Sequence, residues 1–409
     1  MDISGWVWAL TVAGIAGLLA FDFVFHVRKA HVPTLKEAAV WSAAYVGIAL
    51  LFGVGVLIFG GVEPGSEYFA GYVTEKALSV DNLFVFLIII SSFRVPREDQ
   101  QKVLLFGIVF ALIARTGLIF VGAALINTFA WVFYAFGLVL LLTAGNMLAP
   151  KGGDDSHTAD NFVIRLARKT FHTTDHYDGD KLFTTVDGKR AMTPMLLVMV
   201  AIGGTDILFA LDSIPAIFGL TQNVYLVFTA TAFSLLGLRQ LYFLIDGLLD
   251  RLIYLSYGLA AILGFIGVKL IVHALHENNV PFINDGEPVK VVEISTGLSL
   301  SVIIGILIVT IVASLFSRRG AARTAIANAR RHATAYLDSE YTRSAAERER
   351  IFKALLRERD QIISLGPKYR RMVRDEPALT ELLDRAAAKH NEAVERGEAE
   401  PFTRRGLTS

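Results

Sequence analysis

Two membrane-length apolar stretches of the chain each contain a pair of carboxylates at the same spacing. In both, a threonine precedes an acidic residue, five residues follow, and an aspartate is then followed by a small polar residue. The first copy comprises Thr74, Glu75, Asp81 and Asn82, and the second comprises Thr205, Asp206, Asp212 and Ser213. An ionised carboxylate inside a bilayer is costly, and such groups line ion paths or pair with a partner charge. The repeated motif therefore predicts an intramembrane site that handles cations or protons.

The donor atoms of this motif indicate which cation the site would take. Carboxylate, amide and hydroxyl oxygens are hard ligands, which suit Mg²⁺, Ca²⁺ and Mn²⁺ better than Cu⁺ or thiophilic Zn²⁺. We predict Glu75, Asp81, Asp206 and Asp212 as metal ligands, with the four neutral motif residues as supporting donors. The alternative is that the acids form structural ion pairs with basic residues of the apolar stretches, namely Lys76, Arg115, Arg239 and Lys269.

The composition is that of a membrane protein. Of the 409 residues, 54% are hydrophobic and only 19% are charged, and the mean hydropathy is +0.51. The net charge of +1 gives no support for nucleic-acid binding. Cysteine is absent, which excludes disulfides, thiolate metal sites and thiol catalysis. No nucleophile–base pair or cofactor motif accompanies the acids, so we expect neither an enzyme nor a tightly bound cofactor.

The elements that carry the motif are predicted to be membrane-spanning helices, nine in all. Apolar stretches long enough to cross a bilayer lie near residues 5–25, 38–60, 69–93, 102–124, 129–148, 194–219, 223–245, 252–274 and 294–316. Lysine and arginine are concentrated in alternate connections, which predicts the N-terminus outside and the C-terminus in the cytoplasm. The predicted location is the cell (inner or plasma) membrane, with the lipid bilayer as the first partner.

This orientation makes the two motif helices antiparallel. Residues 69–148 and 194–274 each supply three helices, with Arg115 and Arg239 at matching positions in the second helix of each set. Three helices followed by three of opposite orientation form the inverted repeat of many secondary transporters. We therefore predict an all-α polytopic domain over residues 1–316, built on a three-plus-three inverted repeat.

Helix geometry leaves the arrangement of the four acids open. Residues six apart on a straight helix are separated by about 9 Å and about 120° of rotation, so one helix cannot easily hold one ion with both acids. In one register Asp81 and Asp212 lie level near the bilayer centre. In the other, Glu75 is level with Asp212, and Asp81 with Asp206. Gly203-Gly204 and Pro215 are expected to interrupt the sixth helix.

Two regions outside the helices differ in composition. Residues 149–193 form a predicted cytoplasmic loop, in which His157 and the pair His172 and His176 offer only a weak metal-binding signal against a solvated loop. Residues 317–409 are rich in Arg, Glu and Ala, and their apolar spacing predicts amphipathic cytoplasmic helices. A solvated helical tail is the simpler interpretation, and binding of cytoplasmic proteins is the alternative.

The acidic phrases resemble those of the TerC family of integral membrane proteins. The similarity rests on the phrases that begin at Glu75 and Thr205, on residues 183–190, and on the surroundings of Arg239 and Lys269. Two positions depart from the family pattern as we know it. Gly203 stands where an acid is often found, and Asn146 stands where a lysine is often found.

The resemblance implies a divalent cation exporter, chiefly for Mn²⁺, related to LysE-type transporters. From it we expect Mn²⁺ efflux from the cytoplasm by alternating access, with Mn²⁺ or another hard divalent cation as the transported substrate. The alternative is a non-transporting membrane scaffold in a tellurium or metal stress-response complex, since the family was first associated with tellurium resistance.

Overall fold

The computed structural model describes residues 3–27, 34–93, 95–96, 99–129, 131–148, 181–186, 189–245, 252–277, 283–292, 294–337, 345–364 and 376–397. The α-helices of the membrane part are α1 (Gly5–Asp22), α2 (Leu35–Gly60), α3 (Val62–Ser92), α4 (Gln100–Thr128), α5 (Val132–Leu148), α6 (Pro194–Phe218), α7 (Val224–Leu235), α8 (Leu238–Ile245), α9 (Leu255–His276) and α10 (Thr296–Phe316). A single π-helical turn, Phe23–Val27, extends α1.

The chain is an all-helical polytopic membrane protein, and seven spans within the described part are long and apolar enough to cross a bilayer. Two of the nine predicted spans are not among them. The third corresponds to α3, whose 31 residues include Glu63, Glu75, Lys76 and Asp81. The fifth corresponds to α5, which is apolar but only 17 residues long. Both helices exist, and the figure of nine spans remains a prediction.

The position of the helix break differs from the prediction. Helix α6 runs unbroken through Gly203, Gly204 and Pro215, so the expected interruption there is wrong. Pro215 lies in the last turn, where its missing N–H removes one intrahelical hydrogen bond but the helix continues to Phe218. The seventh predicted helix is broken instead, since α7 ends at Leu235 and α8 begins at Leu238. Gly237 between them has a φ of 77°, a left-handed conformation that glycine adopts without steric cost.

Helix α3 lies at the centre of the membrane part. It packs against α2, α6 and α7, while α4 packs against both α6 and α7. Helices α5 and α9 form the other extensive pair. They cross at Gly137 and Gly267, where an added Cβ would lie 2.9 Å and 3.0 Å from the facing glycine's carbonyl oxygen. Small residues of this kind allow helix backbones to approach closely in membranes.

Two regions are separate in sequence from these ten helices. Strands β1 (Phe183–Val186) and β2 (Lys189–Met192) form an antiparallel hairpin just before α6, within the segment that we predicted as a loop. The loop histidines His157, His172 and His176 lie outside the described residues.

The C-terminal segment forms a second compact unit. Its helices are α11 (Arg318–Leu337), α12 (Ala345–Ser364) and α13 (Glu376–Glu395). Alanines on one face of α11 pack with Phe352 of α12 and Leu379 of α13 in an apolar core. The amphipathic helices predicted for the tail therefore bury their apolar faces against one another.

Candidate functional site

Arg115 on α4 is the centre of a buried ionic cluster. Its Nε donates to Oδ2 of Asp206 at 3.2 Å, and its Nη2 donates to Oδ1 of the same carboxylate at 2.9 Å. This forked geometry is the strongest form of a charge-assisted hydrogen bond between side chains. The side chains of Arg115 and Asp206 are only 1% and 2% exposed, so water does not screen the pair.

The remaining nitrogen of the guanidinium joins both motif helices. Nη1 of Arg115 donates to Oγ of Ser213 at 3.2 Å and pairs with the carboxylate of Glu75 on α3. Asp206 and Ser213 are seven residues apart, two turns along the same face of α6, so both can face one guanidinium. Glu75, Arg115, Asp206 and Ser213 form the central cluster, with two carboxylates around one cation.

Close packing of α4 on α6 brings Arg115 within reach of Asp206. A Cβ added to Gly107 would lie 2.7 Å from Cγ2 of Ile202, and one added to Gly203 would lie 2.9 Å from the ring of Phe110. Either distance is too short for a real side chain, so both glycines permit the contact. The absence of an acid at position 203 therefore has a steric reason here, since the ring of Phe110 occupies that space.

The other two predicted ligands lie apart from the central cluster. Asp212 is half-buried and accepts a hydrogen bond from Oγ1 of Thr143 on α5, at 3.0 Å. Asp81 is half-buried on α3. Within the described ranges, no group of three or more Asp, Glu or His side chains lies close enough to hold a metal ion. The four-carboxylate ligand set thus remains a prediction, and two of its members are joined by an arginine.

Neither predicted register describes how the acids face one another. Both registers placed Glu75 and Asp206 at different depths, whereas a single guanidinium contacts both in the structure. Helix periodicity alone missed this arrangement because the long Arg115 side chain comes from a third helix. For these two acids, the structure forms the ion pairing that we weighed as an alternative.

The supporting oxygen donors take different positions. Thr205 donates from Oγ1 to the carbonyl oxygen of Ala201 at 2.7 Å, within its own helix. Thr74 is fully buried, and its hydroxyl contacts no hydrogen-bond partner among the described residues. Asn82 is buried on α3. Thr74 and Asn82 are therefore interior oxygen donors on the same helix as Glu75.

Arg239 belongs to a second buried cluster rather than to the motif helices. Its Nε and Nη2 donate to the two carboxylate oxygens of Asp22 at 3.1 and 2.8 Å. Tyr45 and Gln240 donate to Oδ1 of Asp22, and Arg239 also contacts Gln101. Asp22 was not among the acids predicted to pair with Arg239, although an acid at the end of an apolar helix is a usable signal.

Lys76 caps the helix break between α7 and α8. Its ammonium donates to the carbonyl oxygens of Ser234 at 2.9 Å and Leu236 at 3.4 Å. The last carbonyls of a helix lack intrahelical partners and carry partial negative charge, so a cation there is favourable. Lys76 therefore holds the broken helix against α3. Lys269, the remaining predicted base, lines a separate cavity near the start of α3.

The chain is similar to known membrane proteins along most of its length. Residues 60–322 match the model of the integral membrane protein TerC family. An uncharacterized membrane protein of Mycobacterium tuberculosis (strain ATCC 25618 / H37Rv) is 63% identical over 391 residues, which is 95% of this chain and 98% of that protein.

Relatives from other bacteria match a shorter part of the chain. A further uncharacterized membrane protein, from Myxococcus xanthus, is 41% identical over 316 residues, or 77% of this chain and 93% of that protein. The "Putative membrane-bound redox modulator Alx" of Escherichia coli (strain K12) is 36% identical over 315 residues, or 75% of this chain and 93% of that protein. No solved structure matches the chain.

Proposed function

Since the chain belongs to the TerC family of integral membrane proteins, we propose that it transports a hard divalent cation, with Mn²⁺ efflux from the cytoplasm as its activity. The observation that carries the proposal is the central cluster, in which two buried carboxylates from the two motif helices converge on Arg115. Buried ionisable groups in membrane helices commonly mark ion paths. Oxygen donors from both helices supply the chemistry that such a cation needs.

In this proposal Arg115 is a tethered cation that occupies the site between transport events. Burying Glu75 and Asp206 without a positive charge would be very costly, and the guanidinium offsets that cost. An arriving divalent cation replaces it, after which Ser213 and the freed carboxylates serve as ligands. Asp81 and Asp212, each about 9 Å along the same helices, complete the oxygen set when the helices move.

The packing pattern supports an inverted repeat, the architecture of many transporters that work by alternating access. In an inverted repeat, α3 corresponds to α6, α4 to α7, and α5 to α9. Each contact between helices should then have a counterpart: the α3–α7 contact corresponds to the α6–α4 contact, and the α5–α6 contact corresponds to the α9–α3 contact. All four contacts occur. The pairs α3–α6, α4–α7 and α5–α9 map onto themselves and also occur. This pattern is expected of repeats related by a twofold axis.

The membrane topology sets the direction of the proposed transport. The distribution of lysine and arginine favours an N-terminus outside and a cytoplasmic C-terminus. With α3 and α5 counted as spans, nine crossings give this topology in the cell membrane. Transport outward then runs from the end at which α3 terminates towards the end at which α3 begins.

Transport by purified protein in proteoliposomes tests the proposal. We expect wild-type protein to move Mn²⁺ into vesicles that contain a Mn²⁺-quenched dye, and Asp206→Asn to lower the initial rate by about tenfold or more. A charge-assisted contact is worth roughly 1.5–3 kcal/mol, and 1.4 kcal/mol is tenfold. Parallel assays with Ca²⁺, Mg²⁺ and Zn²⁺ define ion preference.

The matched control is Asp384→Asn, which alters an exposed aspartate of α13 and should leave the rate unchanged. An Asp206→Asn protein that reconstitutes normally and transports Mn²⁺ at the wild-type rate would contradict the assignment of the central cluster.

A second candidate function is a membrane scaffold that recruits cytoplasmic proteins for metal or tellurite tolerance. The observation in its favour is the ordered packing of the C-terminal unit, where the rings of Phe352 and His390 stack at 3.6 Å.

A redox role, which the name of the Alx relatives suggests, cannot use thiol–disulfide exchange in this chain, because it contains no cysteine.

A further inference from the structure

A polar cavity of about 550 Å³ lies at the end of the membrane part where α3 begins. Its walls come from the first turns of α3, the α6–α7 turn, the last turns of α9 and the start of α10. The charged and titratable lining residues are Glu63, Glu67, Lys269 and His273. Since a water molecule occupies about 30 Å³, the cavity has room for a divalent cation with its first hydration shell.

Glu67 is the acidic group held in place at this cavity. One of its carboxylate oxygens accepts a hydrogen bond from Oγ1 of Thr221 at 2.6 Å. Glu63 and Lys269 line the same cavity. The Glu67 carboxylate is thus positioned by the α6–α7 turn beside the other charged groups of the lining.

Helix α3 connects the cavity with the central cluster. Glu67 and Thr74 are seven residues apart on one face of α3, and Glu75 lies about 12 Å from Glu67 along the helix axis. Between them, a Cβ on Gly71 would lie 3.2 Å from Cβ of Ala230 and 3.4 Å from Cγ2 of Ile217. This tight apolar packing on the face of α3 towards α6 and α7 separates the cavity from Glu75.

We infer that this cavity is the outer cation port, in which a hydrated divalent cation is bound by the Glu67 carboxylate on its way from the central cluster. The inference rests on the proposed transport function. Mg²⁺-like cations keep several waters and bind through one or two carboxylates, which matches a roomy cavity with Glu67 and Glu63 in its wall. Lys269 neutralises part of the negative charge, so the port holds the cation weakly enough to release it.

Mn²⁺ binding to full-length protein in detergent, followed by electron paramagnetic resonance of the free ion, tests the port directly. We expect wild-type protein to show two classes of site. Glu67→Gln should weaken the port class by about tenfold or more, the effect of losing roughly 1.4 kcal/mol, and leave the other class intact. Asp206→Asn should weaken the other class of site and leave the port class intact.

The choice of variants keeps the result interpretable. Glutamine retains an oxygen acceptor for Thr221, so the fold should persist, which size-exclusion elution and thermal unfolding verify. Glu381→Gln, at an exposed acid of α13, is the control and should bind Mn²⁺ as the wild type does.

Transport assays on the same variants test the port and the proposed transport function independently. If Asp206→Asn abolishes transport while Glu67→Gln binds and transports Mn²⁺ as the wild type does, the port is refuted and the transporter stands. If Glu67→Gln loses a Mn²⁺ site while Asp206→Asn transports normally, the port is supported and the role of the central cluster fails. Absence of any Mn²⁺ binding by wild-type protein overturns both.

Discussion

At the scale of single residues, Arg115 is the group on which the buried acids depend. It contacts Glu75, Asp206 and Ser213 in an environment that excludes water. In water a carboxylate needs no partner, but in the membrane interior the lost hydration must be replaced by hydrogen bonds and opposite charge. The same guanidinium therefore stabilises the fold and, in the proposed mechanism, holds the site for the cation.

Removal of Arg115 should destabilise the protein strongly. Arg115→Leu leaves Glu75 and Asp206 buried without their cation, which typically costs about 3–5 kcal/mol. The measurement is thermal or denaturant unfolding in detergent, compared with Arg385→Leu at an exposed position of α13.

The double variant Arg115→Leu/Asp206→Asn provides the internal check. It should recover part of the lost stability, because one of the two uncompensated charges is gone. Equal stability of Arg115→Leu and wild type would show that the ionic cluster does not support the fold.

The spacing of acids in the sequence predicted several participants of this cluster but not their pairing. The Thr-acid-x5-Asp motif singled out Glu75, Asp206 and Ser213, and Arg115 stood among the candidate counter-charges. Which acid meets which base depends on the depth of each helix and on the reach of a long side chain. Neither quantity is encoded in the period of one helix.

At the scale of elements, the break between α7 and α8 is the feature that sequence patterns misplaced. Gly203-Gly204 and Pro215 are common helix breakers, yet α6 continues through them. The Gly237 break is stabilised from outside its own helix, since Lys76 of α3 binds the carbonyl oxygens of Ser234 and Leu236. Tertiary contacts therefore override local propensity at both places.

Gly237→Ala should lower stability. A non-glycine residue in a left-handed conformation costs roughly 1–2 kcal/mol, and the new Cβ would lie 2.7 Å from Cβ of Tyr45. We expect a lower unfolding temperature in detergent. In Gly117→Ala, the control, the new Cβ has no atom within 4 Å, so that variant should be neutral or slightly stabilising. Equal behaviour of the two variants would show that the break at position 237 does not require glycine.

At the scale of the whole molecule, the chain combines a membrane part with a compact C-terminal unit. The family match ends at residue 322, whereas the Mycobacterium tuberculosis relative is aligned over 95% of the chain, too much to omit this unit. Inside it, the ring of His390 stacks on Phe352 and accepts or donates a 2.9 Å hydrogen bond with Tyr336. These contacts give the helices of the C-terminal unit a common packed core.

Deletion of residues 318–409 distinguishes the two proposed functions. A transporter whose site lies in the membrane part should retain its Mn²⁺ transport rate in proteoliposomes after the deletion. A scaffold should lose the tolerance to metal or tellurite that the full chain confers on cells. The variant needs a matched expression level, measured by immunoblot of the membrane fraction. Loss of transport with normal insertion would contradict a membrane part that works alone.

The sequence by itself determined the class of the protein, the family, most of the helices and the oxygen chemistry of the repeated motif. These follow from quantities that a linear chain carries, namely apolar length, composition and the spacing of acids along a helix. The tertiary structure decided that Arg115 joins Glu75 to Asp206, that Arg239 meets Asp22, and that the break lies at Gly237. The physical reason is that a charge buried away from water needs a partner on a neighbouring helix. Which residues meet depends on the relative depth of the packed helices, and one helix alone does not define that depth.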